Sequence, residues 1–401
     1  MTGGLIKSFK ERISEQEIVE LIKDLVRIQS YPGIKCQETG VAEYIHRFFE
    51  KEGIESEVIP VVDGRCNVVA RIKGTGGGKT LLLTGHTDTV PPYDMPGDPF
   101  EVKIQDRRMT GRGVVDMKGA IACMMAAMAA IKRAGIELKG DLVFAGVIDE
   151  ENKSEGTIAL IKSGIKADAA IVGEPSQLDI CVGHRGLEWF EFYFRGKTVH
   201  GGKQKEGINA INKAVKFMLR VEQELLPKIE GRKHPVIGES SMNYGLIRGG
   251  TQPSTVAGDC VLQIDRRWVP GEKYEDVVDE YQRIIDALKA EDRDFDAVMK
   301  VMDVSLMEDG IIHEPMEIDL NHPIVEVVSK AVLQATGREP GKVPFTAWSD
   351  GGLLSTYAKI PTIILGPGDL ESAHSAEEYL DIDEVVPAAY AYGAAAIWFC
   401  G

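Results

Sequence analysis

The sequence predicts an α/β protein, a mainly parallel-sheet domain interrupted by a ferredoxin-like α+β insert. Three observations carry this. Short continuous apolar runs, NVVARI from Asn67, TLLLTG from Thr80, LVFAGVI from Leu142 and AAIVG from Ala169, alternate with helical patterns, as strands covered on both faces do. Near His184 the period changes: from Leu187 to Val199 a long strand alternates through Trp189, Phe190, Phe192 and Phe194. Near Pro323 the first kind of pattern resumes.

Ser14 and Glu17 have the spacing of a capping box and open a helix whose Ile18, Leu21, Ile22, Leu25, Val26 and Ile28 recur at near-helical intervals. A second amphipathic helix covers about 39–52. The GTGGGK tract at 74–79 precedes a strand and lacks the helix a phosphate loop needs, so it reads as a flexible hairpin turn. In GRGVVDMKG, Gly111, Gly113 and Gly119 let the chain turn sharply before a helix over about 117–134. Within the insert, helices near 208–226 and 274–290 and strands near 241–248, 255–266 and 295–304 complete a β-α-β-β-α-β order. Such a unit folds as its own small domain. A helix near 323–336, the strand TIILG from Thr362 and a helix near 383–399 complete the larger domain. The predicted boundaries are 1–183 with 306–401 for the larger domain and 184–305 for the insert.

Composition narrows the function. With 401 residues, 44% hydrophobic and 27% charged, the chain can bury a large core, and disorder is excluded for most of it. Lys and Arg number 46 against 62 Asp and Glu, a formal charge of −16, which argues against a general nucleic-acid binder. The first residues carry no apolar stretch of secretory length, and the longest small-apolar run, AIACMMAAMAAI from Ala120, is too short to cross a bilayer. The expectation is a cytoplasmic protein without a membrane or nucleic-acid partner. Six scattered cysteines with no C-x-x-C pair fit reduced thiols, so a metal here would be held by His and carboxylates.

Candidate ligands stand where strands end. TLLLTG delivers His86 and Asp88, LVFAGVI delivers Asp149, Glu150 and Glu151, AAIVG delivers Glu174, and TIILG leads within ten residues to His374. In open α/β sheets ligands bind at the carboxyl ends of strands, so these segments and Asp116 can converge on one crevice. A lone His is usually a surface or satisfied core residue. Asp88 changes that, because residues two apart on an extended segment share a side, and its carboxylate can accept an imidazole N–H and orient the other nitrogen toward a metal. Asp116 alone could be a helix N-cap. Glu150 and Glu151 could be a solvated acidic patch; on an extended segment they would point oppositely, one to a metal and one to substrate. Pro175 keeps Glu174 extended.

Seven segments, GHTDTVP (85–91), GRGVVDMKG (111–119), DEE (149–151), GEPS (173–176), DRRWVPG (265–271), SDGG (349–352) and AHSAEEY (373–379), resemble in order those of the acetylornithine deacetylase, succinyl-diaminopimelate desuccinylase, aminoacylase and carboxypeptidase family of dinuclear zinc hydrolases, peptidase family M20. The resemblance covers essentially the whole chain. It implies that Asp116 bridges two divalent ions, one completed by His86 and Glu174 and the other by Glu151 and His374. Three carboxylates and a bridging hydroxide would neutralise two dications, and metal-bound water ionises near pH ~7. These nitrogen and oxygen donors suit zinc, with cobalt or manganese as substitutes. The resemblance further implies Glu150 as general base and acid, Asp88 as the residue orienting His86, and a cis peptide after Asp116.

In the insert, TVHGGKQKEGINAI resembles the segment whose histidine, here His200, crosses from one subunit's lid to polarise the scissile carbonyl in the other. Gly201 and Gly202 stand where small hydroxyls are usual. Arg267 takes the position of the arginine that grips a substrate carboxylate, with Arg266 as competitor; strand alternation turns only one of them to the cleft. Ser254 and Ala257 replace a common Asn and Pro. The glycines of SDGG, Gly351 among them, and of LGPGD permit close backbone approach to substrate, and Ser349 is a further contact candidate. The resemblance thus implies an amidohydrolase that deacylates a small N-acyl amino acid and dimerises through its lid, hinged near 183–186 and 305–315. A dipeptidase or carboxypeptidase with the same centre is the first alternative, acting on a short peptide, and a non-catalytic metal-binding homologue the second.

Overall fold

The apolar runs of the larger unit become neighbouring strands. The computed structural model describes residues 2–401, with side chains from Gly4 onward. The chain divides into two units, one reaching Gly183 and resuming over Met316–Gly401, the other spanning His184–Pro315.

In the larger unit a nine-stranded sheet runs in the order Glu55–Val62, Arg65–Ile72, Leu142–Val147, Leu81–His86, Ala169–Val172, Thr362–Ile364, Ile180–His184 and Met316–Glu317, with Lys342–Pro344 also paired to Ile180–His184. Leu81–His86 pairs in parallel with Leu142–Val147 and Ala169–Val172, and Thr362–Ile364 pairs in parallel with Ala169–Val172. Four carboxyl ends therefore share one edge. The central strands are buried throughout, as continuous apolar runs require. Helix Lys118–Arg133 packs against Glu15–Arg27 and Ile382–Phe399. Ser14 caps Glu15–Arg27 by accepting the Glu17 N–H at 3.3 Å, as the capping-box spacing implies.

Two of the elements that go beyond those the periodicity predicts are a helix and an edge strand. Helix Thr2–Lys10 precedes the first expected one. Strand Glu55–Val62 contains Pro60, which a central strand excludes, but it lies at the sheet edge, where a missing N–H costs nothing. The glycine-rich tract corrects an expectation. Strand Leu142–Val147 inserts between Arg65–Ile72 and Leu81–His86, so 74–79 is not a hairpin turn. The tract is instead pinned to 138–140: the N–H groups of Thr75 and Gly76 donate to Leu138 O and Lys139 O at 2.9 and 2.8 Å. A Cβ on Gly78 would stand 2.2 Å from Gly140 N.

The second unit carries strand Gly186–Arg195, helix Ala210–Arg220, strands Ser241–Gly249 and Asp259–Trp268, helix Tyr274–Glu291 and strand Asp296–Val301. Its sheet order places Gly186–Arg195 beside Asp296–Val301 and Asp259–Trp268, with Ser241–Gly249 at the edge. That is the ferredoxin-like arrangement of a β-α-β-β-α-β chain. Phe190, Phe192 and Phe194 face its core, while Trp189 and Tyr193 are exposed on the other face. The unit ends at Pro315 and not near 305. Leu187 N bonds His313 O at 3.0 Å, and Ser305 Oγ bonds the buried Glu188 carboxylate, so the following segment stays with the long strand. Periodicity carries no signal of such a bridge. No helix of the described residues is long and apolar enough to cross a membrane.

Candidate metal centre

His86 is the last residue of its strand, and the loop after Leu142–Val147 carries Glu150 and Glu151. Glu174 follows Ala169–Val172, and His374 lies on the loop after Thr362–Ile364. Asp116 lies just before helix Lys118–Arg133, and the Asp116–Met117 peptide is cis. Gly113 has φ +86°, and a Cβ there would meet Thr89 Cγ2 at 2.7 Å, so this turn requires glycine.

The structure brings the five expected ligands and Glu150 together. Asp116 faces a different histidine with each oxygen: Oδ1 is 2.9 Å from His86 Nε2 and Oδ2 is 3.0 Å from His374 Nε2. His374 Nε2 is also 3.0 Å from Glu151 Oε1, and His86 Nε2 is 3.8 Å from Glu174 Oε1. Donor atoms of His86, Asp116 and Glu151 lie within 4.8 Å of one another, as do those of His86, Glu150 and Glu174. Glu150 and Glu151 thus fall in different groups. They do so on a turn that follows Asp149 at φ +69°, not on the extended segment expected.

Asp88 contacts both His86 and the turn that carries Glu150 and Glu151. His86 Nδ1 lies 3.1 Å from the Asp88 carbonyl and 3.4 Å from its carboxylate. The same carboxylate accepts the N–H groups of Glu150 and Glu151 at 3.3 and 3.0 Å. One buried residue thereby ties the end of the His86 strand to the turn that carries Glu150 and Glu151. Behind it, Arg65 donates to Asp149 at 2.8 Å and pairs with the buried Glu38. Sequence reasoning misses Arg65 and Glu38, whose partners are far away in the chain and leave no local pattern.

Burial dominates the electrostatics. It pushes the Glu150 carboxyl well above the usual range, helped by the Glu174 charge, and does the same to Glu174. Glu151 is raised by burial and by Asp116. Burial also opposes charge on Asp116, but hydrogen bonds from His374 and His86 outweigh it and hold Asp116 below its usual value. Burial likewise opposes charge on His86, yet its bonds to Asp116 and Asp88 hold it well above the imidazole range. Bonds to Asp116 and Glu151 push His374 up to about 10. Asp350, a buried acceptor of the Thr157 hydroxyl at 2.6 Å, is raised by burial to about 6.

These residues fit a divalent metal. Glu174 Oε1 is buried with no hydrogen-bond donor, an acceptor left for a cation. A cup of buried and half-buried carboxylates with two imidazoles and no thiolate offers nitrogen and oxygen donors.

Other expected residues have these places. Arg266 is fully buried and bonds Glu272 at 2.9 Å, whereas Arg267 is partly exposed and pairs with Asp265 at 3.1 Å; strand alternation separates the two. His200 is exposed in the second unit, its Nδ1 accepting the Gly202 N–H at 3.1 Å. Ser349 and Gly351 make close internal contacts. The fully buried Ser349 Oγ accepts the Gly351 N–H at 3.2 Å. A Cβ on Gly351 would meet Met316 Sδ at 2.6 Å, so the glycine makes room for a methionine.

Fold and site define a class: an α/β protein with a cluster of histidines and carboxylates that could hold metal at the carboxyl edge of a mainly parallel sheet. The family described as Peptidase family M20/M25/M40 matches residues 82–397, and the chain belongs to that family. The chain is 31% identical to the N-formyl-4-amino-5-aminomethyl-2-methylpyrimidine deformylase of Halalkalibacterium halodurans, covering 93% of this chain and 92% of that one. It is 28% identical to the acetylornithine deacetylase of Myxococcus xanthus, covering 94% and 93%. Among solved structures, aminopeptidase PepT from Bacillus cereus has a TM-score of 0.79 at 22% identity, covering 96% of this chain and 98% of that one. The chain is a metallo-hydrolase acting on amide or peptide bonds.

Proposed function

We propose that this protein is a dinuclear amidohydrolase that removes a short acyl group from an N-acyl amino acid or a related small amine. The observation that carries it is Asp116, whose two oxygens lie 2.9 and 3.0 Å from two different histidines, the posture of a carboxylate that spans two ions. His86 and Glu174 would hold one ion, and Glu151 and His374 the other. When bound, the two cations, zinc or in its place cobalt or manganese, supply Lewis acidity and bring the ionisation of water near pH ~7. Glu150 takes a proton from the attacking water and hands it to the departing nitrogen. Asp88 keeps His86 and the Glu150 turn in fixed relation.

From the second unit, His200 is assigned to polarising the scissile carbonyl through its imidazole and Arg267 to gripping a substrate carboxylate through its guanidinium. A homodimer through this unit is supported by an apolar stripe: Ile211, Val215 and Leu219 lie four residues apart on Ala210–Arg220 and are 37%, 45% and 53% exposed. They accompany edge strand Ser241–Gly249, where Ile247 is 48% exposed. Six unpaired cysteines suit a reducing cytoplasm.

The relative named as a deformylase places formyl beside acetyl and succinyl among the acyl groups to try. The test is a panel of N-formyl, N-acetyl and N-succinyl amines and amino acids, with dipeptides alongside, against metal-loaded and chelated protein. Acyl release that chelation abolishes is the expected result. Release of amino acids from dipeptides alone would replace this reading with a peptidase.

A further inference from the structure

Glu378 is fully buried, four residues beyond His374, and is not among the donor groups of the cluster. Its carboxylate accepts the N–H groups of Gly113 at 2.9 Å, Val115 at 3.0 Å and Asp116 at 3.3 Å. It also accepts Arg112 Nη1 at 2.6 Å. Arg112, 1% exposed, donates in addition through Nη2 to the carbonyl of Ser375 at 3.3 Å. Ser375 is the residue after His374.

A buried ion pair is a poor way to gain stability, because desolvating both charges offsets much of their attraction and apolar replacements are often as stable. A carboxylate does what an apolar side chain cannot. It collects several backbone N–H groups at once and so defines a loop that has no ladder of its own. The segment 111–117 is such a loop. It has a narrow task, since Asp116 must present one oxygen to His86 and the other to His374. His374 must in turn hold a left-handed backbone, φ +60°. The Glu378 and Arg112 pair grips both segments together.

We propose that Glu378, locked by Arg112, is a positioning residue that sets Asp116 in its bridging pose and couples the Asp116 loop to the His374 segment. The proposal rests on the dinuclear reading above. One carboxylate that touches no ion thus assembles the part of the site drawn from two distant stretches of chain. Glu378→Gln keeps the shape, but with its oxygen on the backbone N–H groups of Gly113, Val115 and Asp116 its amide N–H₂ faces Arg112 Nη1 and the lock to Arg112 is lost, and with the amide reversed those backbone N–H groups lose their acceptor.

The test is calorimetric titration of Co²⁺ alone into the ion-free protein, with the visible absorption of the bound cobalt as second readout. Wild type is expected to take two ions, and Glu378→Gln to bind them about 10- to 100-fold more weakly, with shifted cobalt bands that a general loss of stability would not produce. Wild-type affinity and an unchanged spectrum in Glu378→Gln overturn the positioning role and leave the dinuclear reading standing. A wild type that takes fewer than two ions, or an Asp116→Asn variant that still takes two as tightly, overturns the dinuclear reading and this proposal with it. Should Glu378→Gln not fold, Arg112→Lys keeps the charge and drops the second bond to Ser375. Shifted bands there support the role, and wild-type bands refute it.

Discussion

Replacing Glu150 by Gln should lower activity and raise the stability of the ion-free protein at the same time. The half-buried Glu150 lies in one group with the buried His86 and Glu174, and desolvation followed by the Glu174 charge raises its pKa well above the ordinary 4.5. An acid raised on folding contributes stability that is full below its unfolded pKa and is lost as pH rises through the folded one. At about pH 8 the neutral amide therefore removes the cost of burying a carboxyl that is ionised in the unfolded chain, and the ion-free variant should melt above wild type; below pH 4.5, where the unfolded carboxyl is itself protonated, the difference should vanish. Catalysis moves the other way. A positioned base contributes about 10²- to 10⁴-fold, so kcat should fall by that factor, about 2.7–5.4 kcal/mol of barrier, with KM little changed. Acyl release by metal-loaded protein and scanning calorimetry of chelated protein supply the two numbers. Wild-type kcat in the variant would refute the base assignment. A lower kcat accompanied by a lower melting temperature at about pH 8 would refute the account of buried charge.

Asp88→Ala removes the carboxylate 3.4 Å from His86 Nδ1 and the acceptor of the Glu150 and Glu151 N–H groups and leaves the backbone carbonyl contact to the ring in place, so affinity for a divalent ion should fall about 10- to 100-fold; unchanged titration curves would show that the ligands hold themselves. In the second unit, burial raises Glu188 to about 7 from 4.5, so wild type should lose up to about 3 kcal/mol as pH rises across that interval. Glu188→Gln should recover much of this at about pH 8 and none at about pH 4, read by denaturant titration; a gain that does not vary with pH would refute the assignment. Val215→Glu introduces charge in the centre of the exposed stripe on Ala210–Arg220 and should convert a dimer into monomer in sedimentation velocity. A wild type that sediments as monomer at all concentrations would end the dimer proposal.

Legibility follows distance along the chain. The buried strands are readable because continuous apolar runs of four to six residues between helical patterns have few other uses. The Ser14 cap is readable because its partner lies three residues away. Strand Glu55–Val62 is hidden by Pro60, whose tolerance depends on an edge position that only the sheet order defines. The tract at 74–79 looks like a hairpin because the strand that separates its neighbours comes some sixty residues later. That Arg266 and Arg267 point oppositely follows from strand alternation. Which of them enters the core depends on the helices laid against the sheet.

By itself the sequence determined which residue types follow the strands and that Asp116 sits in a glycine-rich turn, and hence that His86, Asp116, Glu150, Glu151, Glu174 and His374 could meet. The folded chain decided how they meet: which oxygen of Asp116 faces which histidine, that Asp88 holds the Glu150 turn as well as His86, and that Glu378 gathers the Asp116 loop. The reason is physical. Periodicity and capping are set by neighbours within a few residues, whereas a buried carboxylate takes whichever N–H groups packing brings within reach, here from residues more than 250 positions away.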